Sequence, residues 1–261
     1  MSRYERWNAL LDTLAAEGRL SVEKASKQLE VSASTIRRDL DQLAQQQMLV
    51  RARGGAVASA VSFDLPLRYK TARHTSEKQR IAAAAASMIE PGATVGLNGG
   101  TTTTEVARAI ASRADLHASP NDSTITIVTN ALNIANELAV RPHVKVVVTG
   151  GVIRPQSYEL IGPLGDHLLG EISLDYAIIG VNGLDPDAGA TAHHEGEAST
   201  NQLMVGRARK VIVVADSSKL GAVAFARICS IDSVDILVTD LGADQDILSR
   251  LVERGVKVVT T

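Results

Sequence analysis

Residues 31–57 read VSASTIRRDLDQLAQQQMLVRARGGAV. Ser32 stands ahead of Ile36, Leu40 and Leu43, which recur at three- and four-residue spacings and predict a capped helix with one apolar face. Ser34, Thr35, Arg37 and Arg38 then fall mostly on the opposite side, near its amino end. MLVRARGGAV follows, and Gly54-Gly55 suits the turn of a hairpin. Upstream, Trp7, Leu10, Leu11 and Leu14 give a first helix over residues 3–16, ended by Gly18. Ser21 is placed to cap a short second helix carrying Val22, Ala25 and Leu29. Three short helices and a hairpin, in that order, predict a winged helix-turn-helix.

In that motif the amino end of the third helix enters the major groove. Short hydroxyls let the backbone approach DNA closely, and an arginine fork binds guanine O6/N7 or clamps a phosphate. Ser34, Thr35 and Arg37 are therefore expected near base edges, and Arg38 at a phosphate or a base. Arg51 and Arg53 flank the glycine turn, where a wing tip reaches phosphates or the minor groove. An arginine pair alone would pass for a solvated helix face; the element order and the RARGG wing give it meaning. One small module reads few base pairs, so two heads acting together on duplex operator DNA are expected, as a homodimer or homotetramer. Trp7 is expected in the small core rather than at a dimer contact.

The composition supports a second, larger body. Of 261 residues, 45% are hydrophobic and only 3% aromatic, so its core must be built from Val, Ile, Leu and Ala. The net charge of -2 hides an asymmetry: residues 1–80 hold 14 Lys/Arg against 9 Asp/Glu, and residues 81–261 hold 13 against 20. A basic front suits a polyanion and an acidic rear does not. The single cysteine, Cys229, excludes an internal disulfide and a multi-cysteine metal site, and is expected as a small buried hydrophobe. No apolar run reaches the roughly 18 residues of a membrane span, and the amino terminus reads as a charged amphipathic helix; a cytoplasmic protein with no membrane partner is expected.

The expected domains are a head at 1–58, a connector at 59–76 containing Pro66, and a body at 77–261. Apolar runs at 94–97, 124–128, 144–149, 176–180, 211–215, 236–239 and 256–259 read as strands. Helical segments at 77–88, 103–110, 132–139, 198–208 and 246–254 alternate with them, which predicts a mainly parallel sheet covered on both faces, a three-layer α/β/α domain. The loops after such strands are where ligands bind. NGGTTTTEVA at 98–107 places Gly99 and Gly100 before a helix start, with the hydroxyls of Thr101, Thr102 and Thr103 completing an anion cradle. It is neither a Walker loop nor GxGxxG, so no nucleotide cofactor is expected. Thr129-Asn130, then TGGVIRPQSYELIG with Arg154 for a phosphate and Glu159 for a hydroxyl, then Asn182-Gly183, and finally ADSSKLG with Asp216 and Lys219, complete the set. Such a mixture suits a phosphorylated sugar or polyol. HHEGE at 193–197 lacks the spacing of a helical zinc pair, so no metal is expected; a loop or ligand contact fits it better, and Glu197 suits the early turn of the following helix.

Together these residues resemble the DeoR family of bacterial transcriptional repressors across nearly the whole chain. The head resembles it in STIRRDL at 34–40 and MLVRARGGA at 48–56, followed by a connector with arginine and lysine. The body resembles it in GGTTTTEVA at 99–107, TNAL at 129–132, TGG at 149–151 with Arg154, NGL at 182–184 and DSSKLG at 216–221. The resemblance implies a body with the fold shared by ribose-5-phosphate isomerase, glucosamine-6-phosphate deaminase and CoA transferases, used to sense a phosphorylated sugar that weakens operator binding. It implies phosphate at Gly100, Thr101, Thr102 and Thr103 with Lys219 nearby, and Asn130, Arg154, Asn182, Glu195 and Asp216 around the remainder. Two departures stand out: Asn98 replaces an acidic residue common before the glycine-threonine loop, and AHHEGEAS does not follow the usual pattern. The competing expectation is a sugar-phosphate isomerase or deaminase, with Glu195 or Asp216 and Lys219 moving the proton.

Overall fold

A computed structural model describes residues 3–46, 48–57, 67, 74–117 and 124–261. The chain divides into two compact units, Met1–Arg73 and His74–Thr261. Most of the connector expected at 59–76, including Pro66, lies outside the described residues.

In the first unit, helix α1 (Arg3–Glu17) ends at Gly18, whose φ of +70° takes the chain out of the helix. Strand β1 (Arg19–Ser21) leads into α2 (Val22–Gln28) and α3 (Ala33–Gln45). Ser32 caps α3 as expected, its Oγ accepting from the Thr35 amide at 3.2 Å. Ser21 stands at the cap position of α2 but makes no capping bond through its side chain. Ile36, Leu40 and Leu43 are fully buried against Trp7, Leu10, Leu11 and Leu14, so Trp7 belongs to the core. Strands β2 (Val50–Ala52) and β3 (Gly55–Val57) form the wing, and β1 pairs antiparallel with β3 to give the order β1-β3-β2. The turn falls at Arg53-Gly54 rather than Gly54-Gly55. Gly54 takes φ +78°, while Gly55 sits where a Cβ would overlap the Leu20 carbonyl, so each glycine is needed for a different reason.

The second unit starts with α4 (Thr75–Ser87), β4 (Thr94–Leu97), α5 (Thr101–Ala111), β5 (Ile125–Thr129), α6 (Leu132–Leu138) and β6 (Val144–Val148). A hairpin of β7 (Val152–Arg154) and β8 (Glu159–Ile161) follows, then α7 (Pro163–Gly170) and β9 (Leu174–Gly180). Next come β10 (Gly183–Asp185), β11 (Gly189–Ala192), α8 (Glu195–Gly206), β12 (Ala208–Val214) and β13 (Ala226–Cys229). The chain finishes with β14 (Ile236–Thr239), α9 (Gln245–Glu253) and β15 (Lys257–Thr260).

Seven strands form one sheet in the order β15-β14-β12-β9-β4-β5-β6, every neighbouring pair parallel. Residues alternate between its two cores. Val95, Leu97, Ile178, Ile212 and Val238 pack with α4, α5 and α6 on one face. Ala177, Ile179, Val211, Val213 and Leu237 pack with α7, α8 and α9 on the other. This is the expected three-layer domain, with strands apolar on both faces. A small antiparallel sheet of β10, β11 and β13 joins the second core. Cys229 is buried there, which pushes its thiol up to about 11.

Candidate functional site

The first unit offers a surface built by one helix. Positions 34, 37, 38, 41 and 45 of α3 are exposed, while 36, 39, 40 and 43 are buried, so a single stripe looks outward. At its amino end the Ser32 hydroxyl meets Ser34 Oγ at 2.8 Å and Thr35 Oγ1 at 2.9 Å, so the residue expected only as the cap forms a hydroxyl trio with the two expected at DNA. Arg37 and Arg38 are exposed, without an ion pair to a described residue. Arg53 projects from the wing turn. Arg51 is already engaged: its Nε reaches Asp41 Oδ1 at 2.8 Å and its Nη1 donates to the Gly55 carbonyl at 2.6 Å. That pairing also neutralises the one acid, Asp41, on an otherwise basic stripe.

Beneath the stripe lies a clamp that local sequence patterns did not reveal. Asp39, 2% exposed, accepts from Arg6 Nε at 2.5 Å, from Arg6 Nη2 at 3.1 Å and from the Trp7 indole at 2.8 Å. A buried carboxylate with three donors fixes α3 to α1 and sets the angle at which Arg37 and Arg38 emerge.

In the second unit, β4 leads to β5 and β6 on one side, and the later strands build outward on the other. The topological switch therefore lies between the carboxyl ends of β4 and β9, the crevice where open α/β sheets take ligands. Asn98 staples that crevice: its Nδ2 donates to the Gly180 carbonyl at 2.9 Å, and its Oδ1 accepts from the Gly180 amide at 2.8 Å. Its amide is thus occupied by protein.

Helix α5 begins two residues earlier than expected, with Gly100 as its cap at φ +146°. The Thr104 amide is the first to find an intrahelical carbonyl, that of Gly100, so the amides of Thr101, Thr102 and Thr103 head the helix without one. Thr103 and Thr104 turn their hydroxyls onto the Gly100 carbonyl, at 3.2 and 2.6 Å. Thr101 and Thr102 keep hydroxyls not spent on that carbonyl. Three outward amides on an 11-residue helix, with its positive dipole end, make an anion seat.

The other expected residues divide. Asn130 is fully buried beside the seat, its Nδ2 donating to the Leu160 carbonyl at 3.3 Å. Asn182 accepts the His193 amide at 3.0 Å. Asp216 caps the Ser217–Lys219 turn by accepting from the Ser218 amide at 3.2 Å and from its hydroxyl, so it shapes the turn that carries Lys219. Asp240, on the next strand's loop, braces the same turn: burial opposes its charge, but the amides of Ser217 and Gly242 hold its carboxyl below the usual range.

Both acids of HHEGE lie in the first turn of α8, the place expected of Glu197, while Glu195 does not take the lining position expected of it. Glu195 points to solvent, 73% exposed, at the first position of α8, because His194 takes the cap position and turns the next side chain outward. Glu197 is the buried one, and Arg154 donates to its Oε1 at 2.9 Å instead of standing free for a phosphate. Glu159 is buried too and accepts the Gly99 amide at 2.5 Å. Burial pushes the Glu159 carboxyl well above the ordinary range, and neighbouring Glu197 pushes it further, against the pull of the Gly99 amide and Arg154.

Two family descriptions match this chain: a DeoR-like helix-turn-helix domain over residues 6–60 and a DeoR C terminal sensor domain over residues 73–241. The glycerol-3-phosphate regulon repressor of Escherichia coli is 32% identical over 258 residues, covering 99% of either chain. The HTH-type transcriptional regulator GlpR of Haloferax volcanii is 34% identical over 256 residues, covering 98% of this chain and 96% of its own. Among solved structures, ribose 5-phosphate isomerase A from Methanocaldococcus jannaschii aligns with 55% of this chain and 53% of its own, at 18% identity and a TM-score of 0.40.

Proposed function

The chain belongs to the DeoR family of DNA-binding transcriptional regulators, and from that premise we propose that it represses carbohydrate genes by holding an operator until a phosphorylated sugar or polyol reaches its sensor domain. The stripe on α3 carries the first half of this reading. Ser34, Thr35 and Arg37 read base edges, Arg38 and Arg53 hold phosphates, and Arg51 braces the wing through Asp41. Two or more copies act together, as a homodimer or homotetramer, on a repeated site. The anion seat supports the second half: the amides of Thr101–Thr103 and the hydroxyls of Thr101 and Thr102 take the phosphate, with Lys219 on a neighbouring loop. The effector's name is not implied by that of any relative, including the glycerol-3-phosphate regulon repressor.

Arg37→Ala is expected to weaken cognate operator binding by about 1–3 kcal/mol and to relax preference at one base position. Fluorescence anisotropy against the operator and a set of single-base variants measures both; unchanged affinity and preference remove Arg37 from the readout. Thr102→Ala removes a hydroxyl from a charged ligand, worth about 1.5–3 kcal/mol, so the effector concentration needed for release should rise roughly tenfold or more with operator affinity retained. Titration of a preformed operator complex with candidate sugar phosphates gives that midpoint. An unshifted midpoint takes Thr102 out of the seat.

No observation favours the isomerase or deaminase reading over this one. Its acid-base candidates are dispersed, Glu195 facing solvent and Asp216 committed to Ser218, and proton transfer gives a basic winged head no task.

A further inference from the structure

An anion seat is expected to have donors around it, yet beside this one acceptors are in excess. Glu159 and Glu197 are 2% and 7% exposed and raise each other's cost of charge, while Arg154 donates to Glu197 at 2.9 Å and also acts on Glu159. Gly99 lies so close that a Cβ there would overlap the Glu159 carboxyl. Asn130 spends its amide nitrogen on Leu160, the neighbour of Glu159, and its buried Oδ1 has no partner among the described residues. Asn201, 2% exposed and one helical turn beyond Glu197 on the same face of α8, also leaves its Oδ1 without a partner among them. Two buried carboxyls thus have the Gly99 amide and one guanidinium as donors, and two buried amide oxygens have none among the described residues.

On the reading that the seat binds a phosphoester, we infer that the ligand also carries a cationic amine: it is an amino sugar phosphate or amino polyol phosphate whose ammonium meets Glu159. The seat's first amide, on Thr101, is two residues from Gly99, so the amide that holds Glu159 and the first that would hold the phosphate are at most about 7 Å apart. A small molecule with an amine a few bonds from its phosphoester spans that gap. Burial and Glu197 from α8 favour a protonated Glu159 carboxyl, and Arg154 from β7 opposes them. An entering ammonium takes the place of that proton, which leaves to solvent, and the ion pair then formed is buried. A neutral hydroxyl at the same position has no charge to offer. Its binding leaves the proton where it is.

The test uses matched pairs on the full chain: glucosamine 6-phosphate against glucose 6-phosphate, and galactosamine 6-phosphate against galactose 6-phosphate, measured by isothermal titration calorimetry and operator release. In at least one pair the amine should bind about tenfold tighter or more. Glu159→Gln keeps the acceptor for Gly99 and a donor for Glu197 but removes the charge, so the ratio within that pair should fall toward one. Equal or tighter binding of the hydroxyl form in both pairs, or an amine preference untouched by Glu159→Gln, overturns the inference and leaves the sugar-phosphate reading standing. Failure of all four to bind overturns the inference, and the sensor reading falls with it only if pentose and polyol phosphates also fail to bind. A variant that does not fold loses both members of a pair, and the wild-type ratio then decides.

Discussion

Asp39→Ala is expected to unfold the head and abolish operator binding, although Asp39 faces away from the surface that would meet DNA. The substitution leaves the Arg6 guanidinium, whose side chain is 12% exposed, buried without a counter-charge and takes the acceptor from the Trp7 indole. Breaking a buried pair from one side costs about 3–5 kcal/mol, comparable with the whole stability of a domain this small. Trp7 is the only tryptophan in the chain, so its emission reports on the head alone. A red-shifted emission and an early melting phase are expected, with the sensor domain's own transition retained. Asp39→Asn keeps an acceptor for the indole while losing the charge, and should fall between the variant and the wild type. Native emission and intact operator binding in Asp39→Ala would mean that the clamp does not set the position of α3.

The clamp explains an aspartate that the motif STIRRDL left without a part. Local patterns identify a helix from periodicity and a cap, and both coincide in α3, so its start and outward stripe are legible in the sequence. A bond between positions 33 residues apart leaves no periodic trace. The same limit governs the wing. Two adjacent glycines announced a turn, yet only Gly54 uses its freedom there; Gly55 is small because β1 crosses it, and β1 is a three-residue strand defined by its partner.

The body divides along the same line. Its seven parallel strands were legible because burial on both faces writes a continuous apolar run. The hairpin of β7 and β8 and the sheet of β10, β11 and β13 were not, since strands of three or four residues carry too little alternation. In the site, glycines and threonines before α5 announced an anion seat through local chemistry alone. Which of Glu195 and Glu197 turns inward depended on where α8 begins, and that is set by His194 accepting the Gly196 amide at 3.1 Å. Arg154 looked available for phosphate because its partner lies 43 residues away.

That pairing makes Arg154→Ala the most damaging single change expected in the body. Arg154 and Glu197 have side chains 11% and 9% exposed, and Glu159 lies against them, so removing the guanidinium leaves two buried acids with no cation between them. The loss at neutral pH should be about 3–5 kcal/mol, again the cost of a buried charge left alone. Its pH dependence follows from linkage. Arg154 is one of the groups holding down the Glu159 carboxyl, which burial and Glu197 already raise above the ordinary range, so without it that folded-state value rises further and the folded variant keeps a proton that the unfolded chain has released. Stability is then fully present below the ordinary glutamate range and falls as pH rises from that range through the raised folded value. The variant should therefore approach wild-type stability in acid and diverge from it toward neutrality. Urea unfolding followed by far-ultraviolet circular dichroism across that window measures the difference. A deficit that stays constant with pH would mean that Arg154 matters for its packing, and that the buried acids have found another cation.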